Sequence, residues 1–357
     1  MTLLALRSLL DNLLHETVRE WQLAIEAPEA GGGTAPTSAW QRASPETLPL
    51  KKVKNIRQVC YTCAIALRLA KMSGLCPIQI AKNITEIWND VSRINEKPAQ
   101  TLPNLQSQLT PAGLAELLRL YITVDVLEQG YLRLTVRDAA IAPWLQWLID
   151  VPATPAMMPA DLTGAPTQTS TATNVFSSTS DPPFAGFHAY ARCCSLLRLA
   201  HQEGILQLCR LPGGALNAES GPARDTTHVC IRQPYDHQSG PLADPWRIDR
   251  PCPLPWLTPE ATLWLQGEAE QTLLHQLVQT IDAIASPPDL KSTSVATKSI
   301  QELSDAFATF YARGPIWGNA RQQIERTQAR LGLISVTGRV LQTLFCQGWG
   351  LIPPPEL

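Results

Sequence analysis

Apolar side chains recur near the 3.6-residue period of an α-helix over the first 25 residues. They are Leu3, Leu6, Leu10, Leu13, Leu14, Val18, Trp21 and Ile25. Pro28 and the glycines of residues 31–33 follow this stretch, and both residue types end helices. The pattern therefore predicts an amphipathic helix, with a loop after it that runs to about Pro49.

Two more helices are predicted next, over about Val53–Lys71 and about Ile78–Ile94, with a turn at Gly74–Pro77 between them. Farther along, apolar residues alternate with polar ones on both sides of Glu128–Gly130, which is typical of a β-hairpin. The alternating residues are Leu120, Ile122, Val124 and Val126, then Leu132, Leu134 and Val136. Asp138 is expected to cap a short final helix.

The composition changes at about residue 151. Residues 151–183 are rich in proline, threonine, serine and alanine and almost free of charge, which predicts a linker. Helical periods then return, interrupted by an irregular stretch. The predicted helices are Tyr190–Leu208, one that opens at Thr258, Thr297–Tyr311 and Asn319–Cys346.

These patterns predict a mainly α protein with an N-terminal α+β module, made of helices and a small antiparallel sheet, and a C-terminal all-α helical bundle. The expected divisions are a helix and loop (1–50), the α+β domain (51–150), the linker (151–183) and the helical domain (184–357) with an insertion (212–255).

Composition narrows the functional classes. Hydrophobic residues make up 45% of the chain, and no apolar run reaches the roughly 18 to 20 residues that a bilayer span needs. The segment Met1–Leu10 lacks a basic region and a cleavage site, so we interpret it as helix rather than signal peptide. We expect a cytoplasmic protein with no membrane partner.

Charge is concentrated locally, although the formal net charge is only −2. Residues 51–85 contain seven basic and no acidic residues, and residues 313–339 contain five arginines against Glu325 alone. Solvated helix faces would explain both runs. Local basic patches of this kind are also what a nucleic-acid-binding role would require.

Nine cysteines, an odd number, favour free thiols in a reducing compartment. Cys60 and Cys63 lie at helical spacing with Ile56 and Leu67, so buried small hydrophobic residues are favoured over a redox or metal site. His228, Cys230, Asp236 and His237 fit no standard metal-ligand spacing and are interpreted as loop residues. No metal and no cofactor is expected.

The C-terminal sequence resembles a known family. Residues 303–311 read LSDAFATFY, residues 326–333 read RTQARLGL, and residues 348–357 read GWGLIPPPEL. Together with HAYARCCSLL at residues 188–197, these segments resemble the C-terminal anticodon-binding (DALR) domain of arginyl-tRNA synthetases. Tyrosine and histidine are exchanged in the opening motif, and the family's terminal Arg-Met is lost. The resemblance implies a helical domain that binds the anticodon loop of tRNA.

The N-terminal half is similar to another part of the same family. Residues 61–71 read YTCAIALRLAK, and residues 129–134 read QGYLRL. They resemble the helix pair and a strand of the synthetases' N-terminal additional domain. The resemblance implies that this module would rest against the outer part of the tRNA body.

The catalytic core that separates these domains in the family has no counterpart between them here, where a linker of 33 residues lies at 151–183. None of the six histidines (15, 188, 201, 228, 237, 275) opens a His-x-Gly-His signature, and no Walker-type loop occurs. Lys71–Gly74 resembles the start of the Lys-Met-Ser-Lys-Ser signature, but it lies inside the N-terminal match and is interpreted as a coincidence. We expect a protein that is not an enzyme and has no small-molecule substrate.

The sequence therefore predicts a non-catalytic tRNA-binding protein, with arginine tRNA as the candidate that the resemblance suggests. Two alternatives stay open: an assembly module that kept the fold but lost RNA binding, and an arginine-tRNA ligase. The partner is expected to be tRNA, with a separate synthetase or another protein as the alternative. The expected RNA-binding residues are Tyr190, Arg192, Tyr311, Arg326, Arg330, Arg339 and Trp349. Tyrosine and arginine serve equally well in packed contacts between helices.

Overall fold

The computed structural model describes residues 3–26, 48–54, 57–94, 110–151, 183–209, 247–285, 293–314 and 323–357. Their packing divides the chain into two compact units. The N-terminal unit comprises Thr2–Leu148 and Trp256–Pro287, and the C-terminal unit comprises Ile149–Pro255 and Pro288–Leu357. The fold is mainly helical, with a small antiparallel sheet in the N-terminal part, as the sequence predicts.

The N-terminal unit is built around a four-stranded antiparallel sheet with the strand order β1-β2-β4-β3. The strands are β1 (Leu50–Lys52), β2 (Val59–Cys63), β3 (Ile122–Val126) and β4 (Leu132–Val136). Its helices are α1 (Leu6–Glu26), α2 (Ile65–Ser73), α3 (Pro77–Ile94), α4 (Pro111–Leu120), α5 (Asp138–Asp150, which crosses the unit boundary) and α7 (Glu268–Ile284).

The predicted hairpin is confirmed as β3 and β4, joined by a 3-10 turn at Glu128–Gly130. Side chains of β4 alternate between buried and more exposed positions, so one face of the sheet forms core and the other is polar. Gly130 has a φ of 87° and lies so close to Pro77 that an added Cβ would approach within 2.8 Å of it. The hairpin turn therefore packs directly against the start of α3.

The predicted helix over Val53–Lys71 is wrong in its first half, because β2 occupies Val59–Cys63 and the helix begins only at Ile65. β2 pairs with β1 on one side and with β4 on the other, and this pairing overrides the helical spacing of a short apolar run. The expectation that Cys60 and Cys63 are buried is confirmed, since they are 5% and 0% exposed.

A buried polar cluster holds α7 against the N-terminal residues of this unit. The Asp282 carboxylate accepts hydrogen bonds from the Tyr61 hydroxyl at 2.6 Å and from the Arg7 backbone N–H at 3.1 Å. Nearby, the Lys52 ammonium donates to the His275 carbonyl at 2.6 Å. Burial raises the pKa of Asp282 and lowers the pKa of Lys52 to about 8.

The sequence grouped residues 256–287 with the C-terminal helical domain, whereas their packing places them in the N-terminal unit. The helix expected to open at Thr258 begins at Glu268 instead. Before it, Leu257 and Leu263 form an isolated β-bridge. Asp138 lies in the first turn of α5, and its carboxylate accepts a hydrogen bond from the Leu263 N–H at 2.9 Å.

Lys52 provides a test of this buried cluster. Because burial disfavours its ammonium form, the unfolded chain binds more protons than the folded chain between about pH 8 and pH 10.5. The free energy of unfolding of the wild type, minus that of Lys52→Met, should therefore increase by about 2 kcal/mol from about pH 8 to about pH 10. Urea denaturation at several pH values measures this difference. Parallel pH profiles for the two proteins would contradict it.

In the described residues of the C-terminal unit, three helices pack on one another: α6 (Phe184–Gln202), α8 (Thr293–Arg313) and α9 (Ile324–Trp349). Gly186 near the start of α6 lies so close to Ile300 and Phe345 that a side chain there would overlap both. Farther along α6, Cys193 meets Gly338 of α9. Helix α9 therefore runs antiparallel to α6.

A two-stranded ribbon accompanies these helices, formed by β5 (Gln207–Cys209) and β6 (Arg247–Arg250). The helix predicted over Tyr190–Leu208 ends earlier, at Gln202, and Gly204 with a φ of 70° turns the chain toward β5. The prediction that the insertion 212–255 is irregular is wrong for Arg247–Arg250, because these residues form β6. The proposed loop residues His228, Cys230, Asp236 and His237 lie outside the described residues.

Most of the tryptophans in the described parts of both units are core residues. Trp256 is 2% exposed, and its ring N–H donates to the Gln146 side chain at 3.0 Å. Trp349 is 9% exposed, and Trp264 is half-buried. Trp246 and Trp317 lie outside the described residues.

Candidate nucleic-acid interface

The predicted RNA-binding residues lie in the C-terminal unit, and two of them come together where α6 and α8 meet. The guanidinium carbon of Arg192 lies 4.7 Å from the centroid of the Tyr311 ring. Arg192 is exposed, and Tyr311 is 37% exposed. The positive charge of Arg192 therefore lies over the aromatic ring of Tyr311, and both groups are accessible at the surface.

Tyr311 is held in place by its own helix. Phe307, four residues earlier, is 3% exposed, and the two ring centroids lie 6.5 Å apart at an interplanar angle of 23°. Residues four apart share one face of a helix, so the buried Phe307 supports the more exposed ring. This support limits the conformational freedom that Tyr311 would lose on binding a base.

Arg330 of α9 reaches the C-terminal turn of α8. Its Nη2 atom lies 3.7 Å from the position that a Cβ on Gly314 would occupy, and the Phe310 carbonyl oxygen lies 3.2 Å from the same point. A helix C-terminus carries partial negative charge, which a guanidinium stabilises. Arg330 therefore has a structural role there as well as the charge that a phosphate would require.

Two further arginines belong to this end of the unit. Arg326 precedes Arg330 by four residues on α9 and so lies on the same face, half-buried. Arg313 occupies the last turn of α8 and was absent from the predicted set. The signal for it was present in the sequence, because it is the first arginine of the basic run over residues 313–339.

We call Arg192, Tyr311, Arg326 and Arg330 the arginine surface. An acidic residue, Glu325, lies next to Arg326 in the first turn of α9. The surface therefore carries an excess of positive charge next to an aromatic ring, which is the combination that unstacked bases and their phosphates require.

The structure does not bring Tyr190 to this surface. Tyr190 is 3% exposed, and its hydroxyl hydrogen-bonds with the Cys194 side chain. Burial raises the pKa of the Cys194 thiol to about 11 although this hydrogen bond and Arg198 oppose the shift. Tyr190 therefore occupies the interior of the bundle, where its ring offers no accessible face.

Arg339 and Trp349 are also placed away from it. Arg339 donates a hydrogen bond from Nη1 to the Val151 carbonyl oxygen at 2.7 Å. Trp349 ends α9, 23 residues after Arg326, which corresponds to about 34 Å along the helix axis. The predicted set therefore divides into one surface cluster and three residues elsewhere in the unit.

The parts of the chain that the structure describes also bear on metal sites and membrane spans. No group of three or more histidine, cysteine, aspartate or glutamate residues lies close enough there to hold a metal ion. Within the same residues, every helix is too short or too polar to cross a membrane.

Comparison with known protein families matches residues 256–346 to the DALR anticodon binding domain. The predicted DALR resemblance is thereby confirmed over this range, which contains α7, α8 and most of α9. It includes Tyr311, Arg326 and Arg330 of the arginine surface, and Arg192 on α6 lies before it. No curated protein and no solved structure gives a significant match.

Proposed function

We propose that this chain is a non-catalytic tRNA-binding protein related to arginyl-tRNA synthetase, and that its arginine surface contacts the anticodon loop. The observation that carries the proposal is the DALR anticodon binding domain at residues 256–346, because domains of this kind typically bind tRNA. Arginine tRNA is the preferred substrate in this proposal, since the sequence resemblance is to the arginine enzyme.

The chemistry of the arginine surface supports this role. Arginine forms bidentate hydrogen bonds with phosphate oxygens, and three guanidiniums would follow a short stretch of RNA backbone. Once Arg192 turns from the ring face to a phosphate, the Tyr311 ring supplies a stacking platform for one unpaired base, and such stacking contributes roughly 1 to 3 kcal/mol. Phosphate contacts would position the loop, while Tyr311 would hold a base that the loop exposes.

A second candidate function is a protein assembly module that kept the fold without RNA binding. Residues 151–357 contain 14 basic and 17 acidic residues, so this part of the chain is mildly acidic as a whole. The contacts of Arg192 with Tyr311 and of Arg330 with the end of α8 would in that case serve only to join helices. The local excess of arginine favours the tRNA proposal.

The two functions are separated by equilibrium binding of the full chain to tRNA. Double-stranded RNA of equal length serves as the control for charge alone, and an isolated anticodon arm serves as competitor. The tRNA proposal expects tRNA to bind more tightly than the duplex and the arm to displace it. Equal binding of tRNA and duplex would reduce the interaction to unspecific charge attraction.

The non-catalytic part of the proposal has its own prediction. Activation of arginine requires groups that hold ATP phosphates in line with the arginine carboxylate, and the chain carries neither a His-x-Gly-His signature nor a Walker-type loop. We expect no arginine-dependent exchange of pyrophosphate into ATP by the purified protein, in the presence or absence of tRNA. An authentic arginyl-tRNA synthetase is the positive control. Exchange above the level of a heat-denatured sample would establish the ligase alternative.

A further inference from the structure

The polar face of the N-terminal sheet contains a trough of about 460 Å³. Its floor is a row of three small residues that face one another across neighbouring strands: Cys60 on β2, Thr135 on β4 and Thr123 on β3. Small side chains in the middle of a sheet leave a depression where longer neighbours surround them. The Cys60 thiol donates a weak hydrogen bond to the Thr135 hydroxyl at 3.7 Å, so the floor presents the two threonine hydroxyls to whatever occupies the trough.

Longer side chains form the two walls. Arg133 and Asp125, which face each other across β4 and β3, line one side. Arg137 and Gln58 line the other side, and Val53, whose N–H donates to the Cys60 carbonyl, lies at the end of the floor. Residues 133 and 137 lie on the same face of an extended chain with their Cα atoms about 13 Å apart. Two guanidiniums therefore approach the trough from opposite sides.

The polar groups of the walls are not engaged with the rest of the described protein. Within the ranges that the structure describes, the side chains of Gln58, Asp125, Arg133 and Arg137 form no hydrogen bond and no ion pair. Asp125 and Arg133 would be expected to pair with each other as direct cross-strand neighbours. Their hydrogen-bonding capacity remains free to bind a ligand.

From this arrangement we propose that the trough binds a phosphomonoester of nucleotide size. A phosphomonoester carries a charge of about −1.5 to −2 at neutral pH, which two guanidiniums match, whereas a phosphodiester carries only one negative charge. The threonine hydroxyls below and the arginines on both sides bind the terminal phosphate oxygens. Asp125 accepts a hydrogen bond from a hydroxyl or amino group of the same ligand.

The volume fits such a ligand, since small-molecule sites span roughly 300 to 1,000 Å³. The site does not depend on the proposed function, because it shares no residue with the arginine surface. It departs from the sequence expectation that the protein has no small-molecule substrate, although binding alone implies no reaction. Failure of this proposal would leave the tRNA proposal unaffected.

Calorimetric titration of the full chain with adenosine monophosphate tests the proposal, with adenosine as the ligand that lacks phosphate. We expect saturable binding of the monophosphate and at least about 30-fold weaker binding of adenosine. Replacing both Arg133 and Arg137 by glutamine should weaken the affinity for adenosine monophosphate by about 30-fold or more. Arg68→Gln on the exposed face of α2 removes one charge from the same unit and should leave the affinity unchanged.

Two results would overturn the proposal. The first is the absence of heat on titration with adenosine monophosphate, which would make the trough an ordinary solvated sheet face. The second is that a short single-stranded RNA without a terminal phosphate binds as tightly as adenosine monophosphate, and that the same double variant no longer binds this RNA. That result would assign the trough to the RNA backbone rather than to a phosphomonoester.

Discussion

Replacing both Arg192 and Arg330 by glutamine is expected to weaken tRNA binding by about 30-fold or more at moderate salt. Each guanidinium that contacts a phosphate contributes a charge-assisted hydrogen bond, and removing two such contacts costs roughly 2 to 3 kcal/mol in total. The log-log dependence of affinity on salt should become shallower by about 1.4 to 1.8, because two fewer counterions are released. Fluorescence anisotropy with labelled tRNA measures both quantities.

Lys298→Gln is the control, because it removes one positive charge from an exposed position on α8. Lys298 precedes Arg313 by 15 residues, which places it about 22 Å away along the helix. The tRNA affinity of Lys298→Gln should equal that of the wild type. The melting temperature of the double variant should fall by no more than about 4 °C, because a charge at a helix end contributes only about 0.3 to 1 kcal/mol. A lowered melting temperature of the double variant with unchanged tRNA affinity would show that the two arginines only join helices.

Asp282→Ala should lower the free energy of unfolding by about 3 kcal/mol. The substitution leaves the Tyr61 hydroxyl, which is fully buried, and the Arg7 backbone N–H without their acceptor. A buried polar group that loses its partner costs about 1 to 3 kcal/mol, and two groups are affected here. Urea denaturation followed by circular dichroism measures the change.

Asp90→Ala provides the comparison within the same unit, since Asp90 is exposed on α3 and its loss should change stability by about 0.5 kcal/mol or less. Tyr61→Phe should cost less than Asp282→Ala, and it should cost less still when Asp282 has already been replaced. Such coupling identifies the hydrogen bond between the two side chains. Equal stability of Asp282→Ala and Asp90→Ala would contradict a role of this cluster in holding α7.

Parts of the fold were predictable because local pattern and tertiary packing agree there. The alternation of apolar and polar residues around Glu128–Gly130 predicts the hairpin, and the apolar period of the first 25 residues predicts α1. β2 was missed because its five residues satisfy both a strand period and a helix period, and only pairing with β1 and β4 decides between them. The position of α7 depends on Asp282 reaching Tyr61, 221 residues away in the chain.

The geometry of an α-helix predicts part of the candidate site from the sequence alone. Tyr190 and Arg192 are two residues apart, so they point about 200° apart around α6 and cannot both face outward. Arg330 and Arg339 differ by nine residues, which again places them on opposite faces of α9. The contact between Arg192 and Tyr311 was not accessible from sequence, because it requires the packing of α6 against α8.

The most direct test of the tRNA proposal is the affinity of the wild-type chain for tRNA as a function of salt. Three arginines that contact phosphates predict a linear log-log plot with a slope of about −2 to −3, since each contact contributes about −0.7 to −0.9. Tight binding at low salt that falls along this line would support the arginine surface as an RNA interface. No tRNA binding at the lowest salt at which the protein remains folded would contradict the account and favour the assembly module.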